Sequence, residues 1–166
     1  MTGSCYDDDE INSTTYDLEN SEVRVARGIT LVFGRYYGKC QGNACVELFM
    51  LQENTLREDN YDDLPVLGEF YSGNFIGFKG SEQVKIESLL SDFPQDMLYD
   101  SKSIYNTIGQ PDNGDWGALY LEYHDVDIHK QFLIDIKQDN IPKAYRNYME
   151  LINATVDHVA KVNTQH

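Results

Sequence analysis

Between Gly34 and Leu51 the chain reads GRYYGKCQGNACVELFML, a turn rich in glycine with Cys40 and Cys45 set between two hydrophobic runs. Upstream, Val23, Val25, Ile29, Leu31 and Phe33 fall on one parity, with Arg24, Ala26, Gly28 and Thr30 on the other. That is the period of a strand with one buried face. Downstream, Cys45 to Leu51 is apolar on both parities except at Glu47, as suits a strand covered on both faces. Two such runs around a Gly and Asn turn predict a β-hairpin.

The two hairpin cysteines are separated by four residues, a spacing that a disulfide bridges when the Cβ atoms converge. A Cys40–Cys45 disulfide is the leading expectation, with buried free thiols as the alternative. The CxxxxC spacing is not the CxxC of thiol oxidoreductases. A metal would need two more soft ligands, and His124, His129, His158 and His166 are not spaced to supply them. No metal or other cofactor is expected.

Beyond the hairpin, Glu53-Asn54 marks a turn and Thr55–Arg57 a short returning strand, followed by a polar acidic loop over Glu58–Pro65. Phe70–Phe78 is aromatic but interrupted by Gly73 and Gly77. Ser81 stands where it could cap a helix, and Ile86, Leu89, Leu90 and Phe93 follow i, i+3, i+4, i+7 spacing up to Pro94. Ala118–Tyr123 and Gln131–Ile136 have strand composition and flank a polar turn at Asp125–Asp127, which predicts a second hairpin. Pro142 suits the first turn of a terminal helix carrying Tyr145, Tyr148, Leu151, Ile152, Thr155, Val159 and Val162. Strands then helix, twice, predict an α+β fold: a mainly antiparallel sheet with one mid-chain helix and one C-terminal helix packed on it.

The chain has 166 residues, the length of one ordinary domain that can bury a core without metals or many disulfides. Its 28 acids outnumber its 13 bases, giving a net charge of −15, which argues against binding nucleic-acid phosphates or anionic headgroups. Asp7, Asp8, Asp9, Glu10, Asp17, Glu19 and Glu22 lie in residues 1–22, which contain no base and little to bury. We expect 1–22 to be a disordered acidic tether and 23–166 to be the single folded domain. No apolar run reaches the roughly 18 residues of a membrane span.

Within that tail, Gly3-Ser4-Cys5-Tyr6-Asp7-Asp8-Asp9-Glu10 places a cysteine after two small residues and directly before an acidic run. This resembles the start of mature bacterial lipoproteins, in particular the Bacteroidetes type in which the acidic run serves as a surface-export signal. Thr2 departs from the bulky apolar residue usual there. The YYGKCQGNACVE turn and the TIGQPDNGDWGALYLEY stretch likewise resemble small uncharacterised lipoproteins of that group, from about Val23 onward. The resemblance implies lipidation at Cys5, a signal removed ahead of it, and an outer-membrane surface location through the lipid alone. It implies no activity.

The second dense turn, GQPDNGDWG from Gly109 to Gly117, supplies the speculative ligand-binding residues Asp112, Asn113, Asp115 and Trp116. Its oxygens do not follow an EF-hand pattern, and Asp, Asn and Gly are ordinary turn formers. Trp116, the only tryptophan, suits either an exposed platform for a sugar or peptide or a plug over the sheet end. His124 and His129, with Asp125 and Asp127, bracket the second hairpin tip, and a polar tip is the simpler expectation than a general base. No GxSxG, HExxH or phosphate loop is present, so no catalytic residue is assigned. The expected function is non-enzymatic binding of an unknown ligand or protein partner. The alternatives are a hydrolase of extracellular saccharide or peptide using Asp112, Asp115 and Glu122, and an acidic nucleic-acid mimic.

Overall fold

The hydrophobic runs on either side of the cysteine turn pair in the expected way. β1 (Thr30–Tyr36) and β2 (Val46–Gln52) are antiparallel, with Phe33 opposite Phe49 and Tyr36 opposite Val46. The computed structural model describes residues 28–36, 45–111 and 117–164, so the turn itself and Val23–Arg27 lie outside the described residues. Glu53 and Asn54, both at positive φ (50° and 57°), form a two-residue turn into β3 (Thr55–Asp59). Positive φ at both central positions matches the right-handed twist of the flanking strands.

β4 (Phe75–Ile76), β5 (Tyr105–Ile108), β6 (Ala118–His124) and β7 (His129–Ile134) complete a seven-stranded sheet of order β4-β3-β2-β1-β6-β7-β5. Every pairing is antiparallel except β5 with β7. The helices are α1 (Glu87–Ser91), α2 (Gln95–Tyr99) and α3 (Arg146–Thr164). The fold is thus α+β, with a mainly antiparallel sheet and a C-terminal helix.

One face of the sheet carries the larger core. Leu31, Phe33, Phe49, Leu121, Phe132 and Ile134 pack with Met149, Ile152, Val156 and Val159 of α3. Each such side chain contributes about 1.5–3 kcal/mol on full burial, which outweighs the modest propensity of the helix alone. The Tyr148 hydroxyl donates to the Leu89 carbonyl at 2.7 Å and ties α3 to α1. Arg35, on the same face, reaches Asp157 of α3 at 2.6 Å.

The segment expected as one helix from Ser81 to Phe93 is divided. Ser81–Gln83 is a 3₁₀ turn without a side-chain cap, and Val84 is extended at φ −87°, ψ 125°. Leu89 and Phe93 are still buried, with Ile86 and Leu90 packed against the core, so α1 and its flanks meet the apolar spacing and the break lies ahead of them at Val84. α3 begins at Arg146, and Pro142 instead opens a turn in which the Tyr145 N–H donates to its carbonyl. β7 starts at His129, two residues earlier than its apolar pattern suggests.

Gly34, in the middle of the sheet, lies opposite Leu48 and Tyr120. A Cβ there would stand 1.9 Å from the Glu47 carbonyl oxygen, so close approach of β1 and β2 requires glycine. The second face carries a smaller cluster of Val32, Val46, Leu48 and Tyr120, edged by Tyr36, Met50, Tyr71 and Phe75.

Candidate functional site

What covers that second face is a loop rather than a helix. After β3 the chain leaves the sheet at Asn60 and returns at Asn74 to form β4, and the Asn60 N–H donates to the Asn74 carbonyl at 3.0 Å. Joined ends and an irregular path of this length define an Ω-loop. Asp59, buried at the last position of β3, closes it. Its carboxylate accepts from the N–H groups of Asn74 (2.7 Å), Asp62 (3.1 Å) and Tyr61 (3.3 Å) and from the Tyr71 hydroxyl (2.5 Å). Gly73 leaves room for this, since a Cβ there would meet the Asp59 carboxylate at 2.6 Å.

The middle of the loop is fastened across the sheet to a polar pair on β6 and β7. Glu122 and Gln131 are opposite each other, 1% and 0% exposed, between the apolar cluster of Val32, Leu48 and Tyr120 and the His124–His129 rung of the same face. The Gly68 N–H donates to the Gln131 side-chain oxygen at 2.6 Å, and the Gln131 amide donates to the Glu69 carbonyl. Gln131 therefore satisfies the peptide groups of Gly68 and Glu69 as a neighbouring strand would. The Tyr71 N–H donates to Glu122 Oε2 at 3.1 Å.

Glu122 is a buried carboxylate, a costly feature unless hydrogen-bonded and charge-compensated. Besides Tyr71 it has the Tyr120 hydroxyl at 2.5 Å, the Gln131 amide at 3.3 Å and His129 Nε2 at 3.1 Å. Burial, reinforced by the Glu122 carboxylate, pushes the Tyr120 phenol up, so it remains a donor at neutral pH. The Tyr71 phenol is raised in the same way by burial and by its bond to Asp59. Phe70 stacks on His129 with centroids 3.8 Å apart and planes 13° from parallel, and meets His124 edge-on at 5.1 Å.

These contacts occupy Glu122 with the loop. A general acid or base has to reach its substrate, and Glu122 is shielded from solvent beneath Tyr71. His124 and His129 form the last rung of the β6–β7 hairpin, with rings 6.5 Å apart. Asp125 accepts from the N–H groups of Asp127 and Ile128, both at 2.8 Å, and so shapes the turn. Cys45 is disulfide-bonded, while Cys40 and Cys5 lie outside the described residues, as do Asp112, Asn113, Asp115 and Trp116. Among the described residues no group of three or more His, Cys, Asp or Glu side chains is arranged to hold a metal ion. No described helix is long and apolar enough to cross a membrane.

Asp59, Tyr71, Tyr120 and Gln131 were not evident as site residues from sequence. A signal is nonetheless there: Glu122 and Gln131 fall within two strands whose other parity buries Leu119, Leu121, Phe132 and Ile134. Compared with known proteins, the chain matches no family model, no curated protein and no solved structure.

Proposed function

We propose that this chain is a non-enzymatic interaction domain of an exported lipoprotein, anchored by an acyl group on Cys5, which meets a partner through its Ω-loop. The observation that supports this best is the division of labour within the loop. Its backbone and Tyr71 are fastened inward to Asp59, Glu122 and Gln131, while its apolar side chains point out. Tyr61, Leu64, Val66, Leu67 and Phe70 are five of the nine exposed large hydrophobics among the described residues, and Ile76 of the adjoining β4 is a sixth. An apolar cluster held in place on a surface is the usual mark of an interaction site.

A photo-crosslinking residue placed at Val66, with Tyr99 as the control site on α2, whose Met97 and Leu98 join the core on the other face of the sheet, tests the interaction in cells. Both positions are strongly exposed, at 60% and 71%. The expected result is a discrete adduct from position 66 alone, and equal or absent adducts from both sites would sink the role. Anchoring is tested separately by mass spectrometry of membrane-fraction protein, which should show an acylated Cys5 peptide; an unmodified peptide in that fraction removes the anchor.

A further inference from the structure

We infer that the partner of the Ω-loop presents an apolar strip flanked by lysine or arginine, and that a recess in the loop receives one such basic side chain. The inference rests on the interaction role proposed above and adds the chemistry of the partner. From Glu58 to Phe78 the chain carries five acids, Glu58, Asp59, Asp62, Asp63 and Glu69, and no base. Asp59 is consumed internally, whereas Asp63 and Glu69 are exposed beside the outward apolar side chains. The surface is therefore apolar and anionic together.

A recess of about 340 Å³ is formed by Asp63, Leu64, Val66, Glu69, Phe70 and Tyr71. A lining that mixes Leu64, Val66 and Phe70 with Asp63 and Glu69 suits a long basic side chain, whose methylene stem lies against the apolar residues while its charged head meets Asp63 or Glu69. The acids are already crowded: burial, with Asp59 and Asp63 nearby, pushes the Asp62 carboxyl above its ordinary value.

The same charge argues against other occupants. A second copy would set acidic loop against acidic loop, on a chain of net charge −15. Residues 1–22 bring seven acids and no base, and anionic headgroups repel the loop equally.

Three synthetic peptides of equal length test this on the full chain: leucine–lysine, leucine–glutamate and serine–lysine, each titrated into isotopically labelled protein and followed by amide shifts. The leucine–lysine peptide should shift the Val66 and Phe70 amides and should weaken on raising salt, because exposed charge contacts are screened. Its affinity should fall about tenfold, equivalent to about 1.4 kcal/mol, in Val66→Ser and in the double variant Asp63→Asn with Glu69→Gln. Equal binding of the serine–lysine peptide would reduce the effect to bulk charge and overturn the inference. Binding of the leucine–glutamate peptide at the loop would overturn the partner chemistry but leave the interaction role standing. Shifts away from the loop, no binding by any peptide, Val66-dependent dimers in sedimentation velocity, or flotation with phosphatidylcholine vesicles would each overturn it too.

Discussion

Replacing Gln131 with methionine isolates the fastening of the Ω-loop, because the volume of the side chain is kept while its polar atoms are lost. Wild-type Gln131 contacts the Gly68 N–H, the Glu69 carbonyl, the Tyr120 hydroxyl and Glu122. The Tyr120 hydroxyl keeps its bond to Glu122, so it is not stranded. Gly68 and Glu69 are exposed, so water can replace part of what their peptide groups lose. Two loop hydrogen bonds at about 0.5–1.5 kcal/mol net each give a loss of about 1–3 kcal/mol. If the loop opens as its own unit, that loss is local. Hydrogen exchange at the Gly68 and Tyr71 amides should then accelerate about 5- to 150-fold, while Phe33 in β1 exchanges as before. The urea midpoint should fall only modestly. Unchanged exchange at Gly68, or equal acceleration at Phe33, would refute the picture of a separately fastened loop.

Two further substitutions test the frame around the site. Gly34→Ala places a methyl group 1.9 Å from the Glu47 carbonyl oxygen and should cost about 3 kcal/mol in thermal unfolding, whereas Gly28→Ala, where nothing lies within 4 Å, should be near neutral. Similar shifts for the two would show that β1 and β2 tolerate separation. Burial works against ionisation of Asp135, but the Lys137 N–H, the Asn140 amide and the Gln110 N–H outweigh it and hold the carboxyl below its usual value. The stability it contributes is then present above the ordinary carboxyl pKa of 3.8 and is lost as pH falls through the lower folded value. Urea midpoints of wild type and Asp135→Asn should therefore converge in acid, and a gap that holds or widens would contradict this.

The parts of the fold that could be read from sequence are those whose pattern is local. The alternation of Leu31 and Phe33, and the double-sided apolar run from Val46 to Leu51, depend on neighbours two positions away, and β2 forms where that pattern puts it; β1 instead starts at Thr30, runs on to Tyr36 and buries Thr30 and Val32 on its second face as well. β5 was invisible for the converse reason: Tyr105-Asn106-Thr107-Ile108 is an edge strand of mixed polarity with none of its four residues fully buried. The helical spacing from Ile86 to Phe93 was genuine and α1 carries it, but it says nothing of the backbone ahead of it, where Val84 is extended and parts the Ser81 turn from α1. The site was the least legible. Glu58–Pro65 and Phe70–Phe78 look like separate segments, one acidic and one aromatic, yet they are the two arms of one loop. The contacts that unite them with the sheet join residues 51 apart for Tyr71 and Glu122 and 63 apart for Gly68 and Gln131. No periodicity within one window encodes such pairs.

The central place of β1 has a bearing on how the chain acquires its structure. Its hairpin with β2 closes over a short span, but its other edge pairs with β6, Phe33 meeting Leu121 across most of the sequence. Non-local pairings of this kind come late, because closure entropy has to be met before their contacts form. Until β6 and β7 arrive, Leu31 and Phe33 lack half of their neighbours, and the Ω-loop has neither Glu122 nor Gln131 to hold it. A chain interrupted before Ala118 would thus display both faces of an unfinished sheet, and the surface on which the loop depends would be the last part to mature.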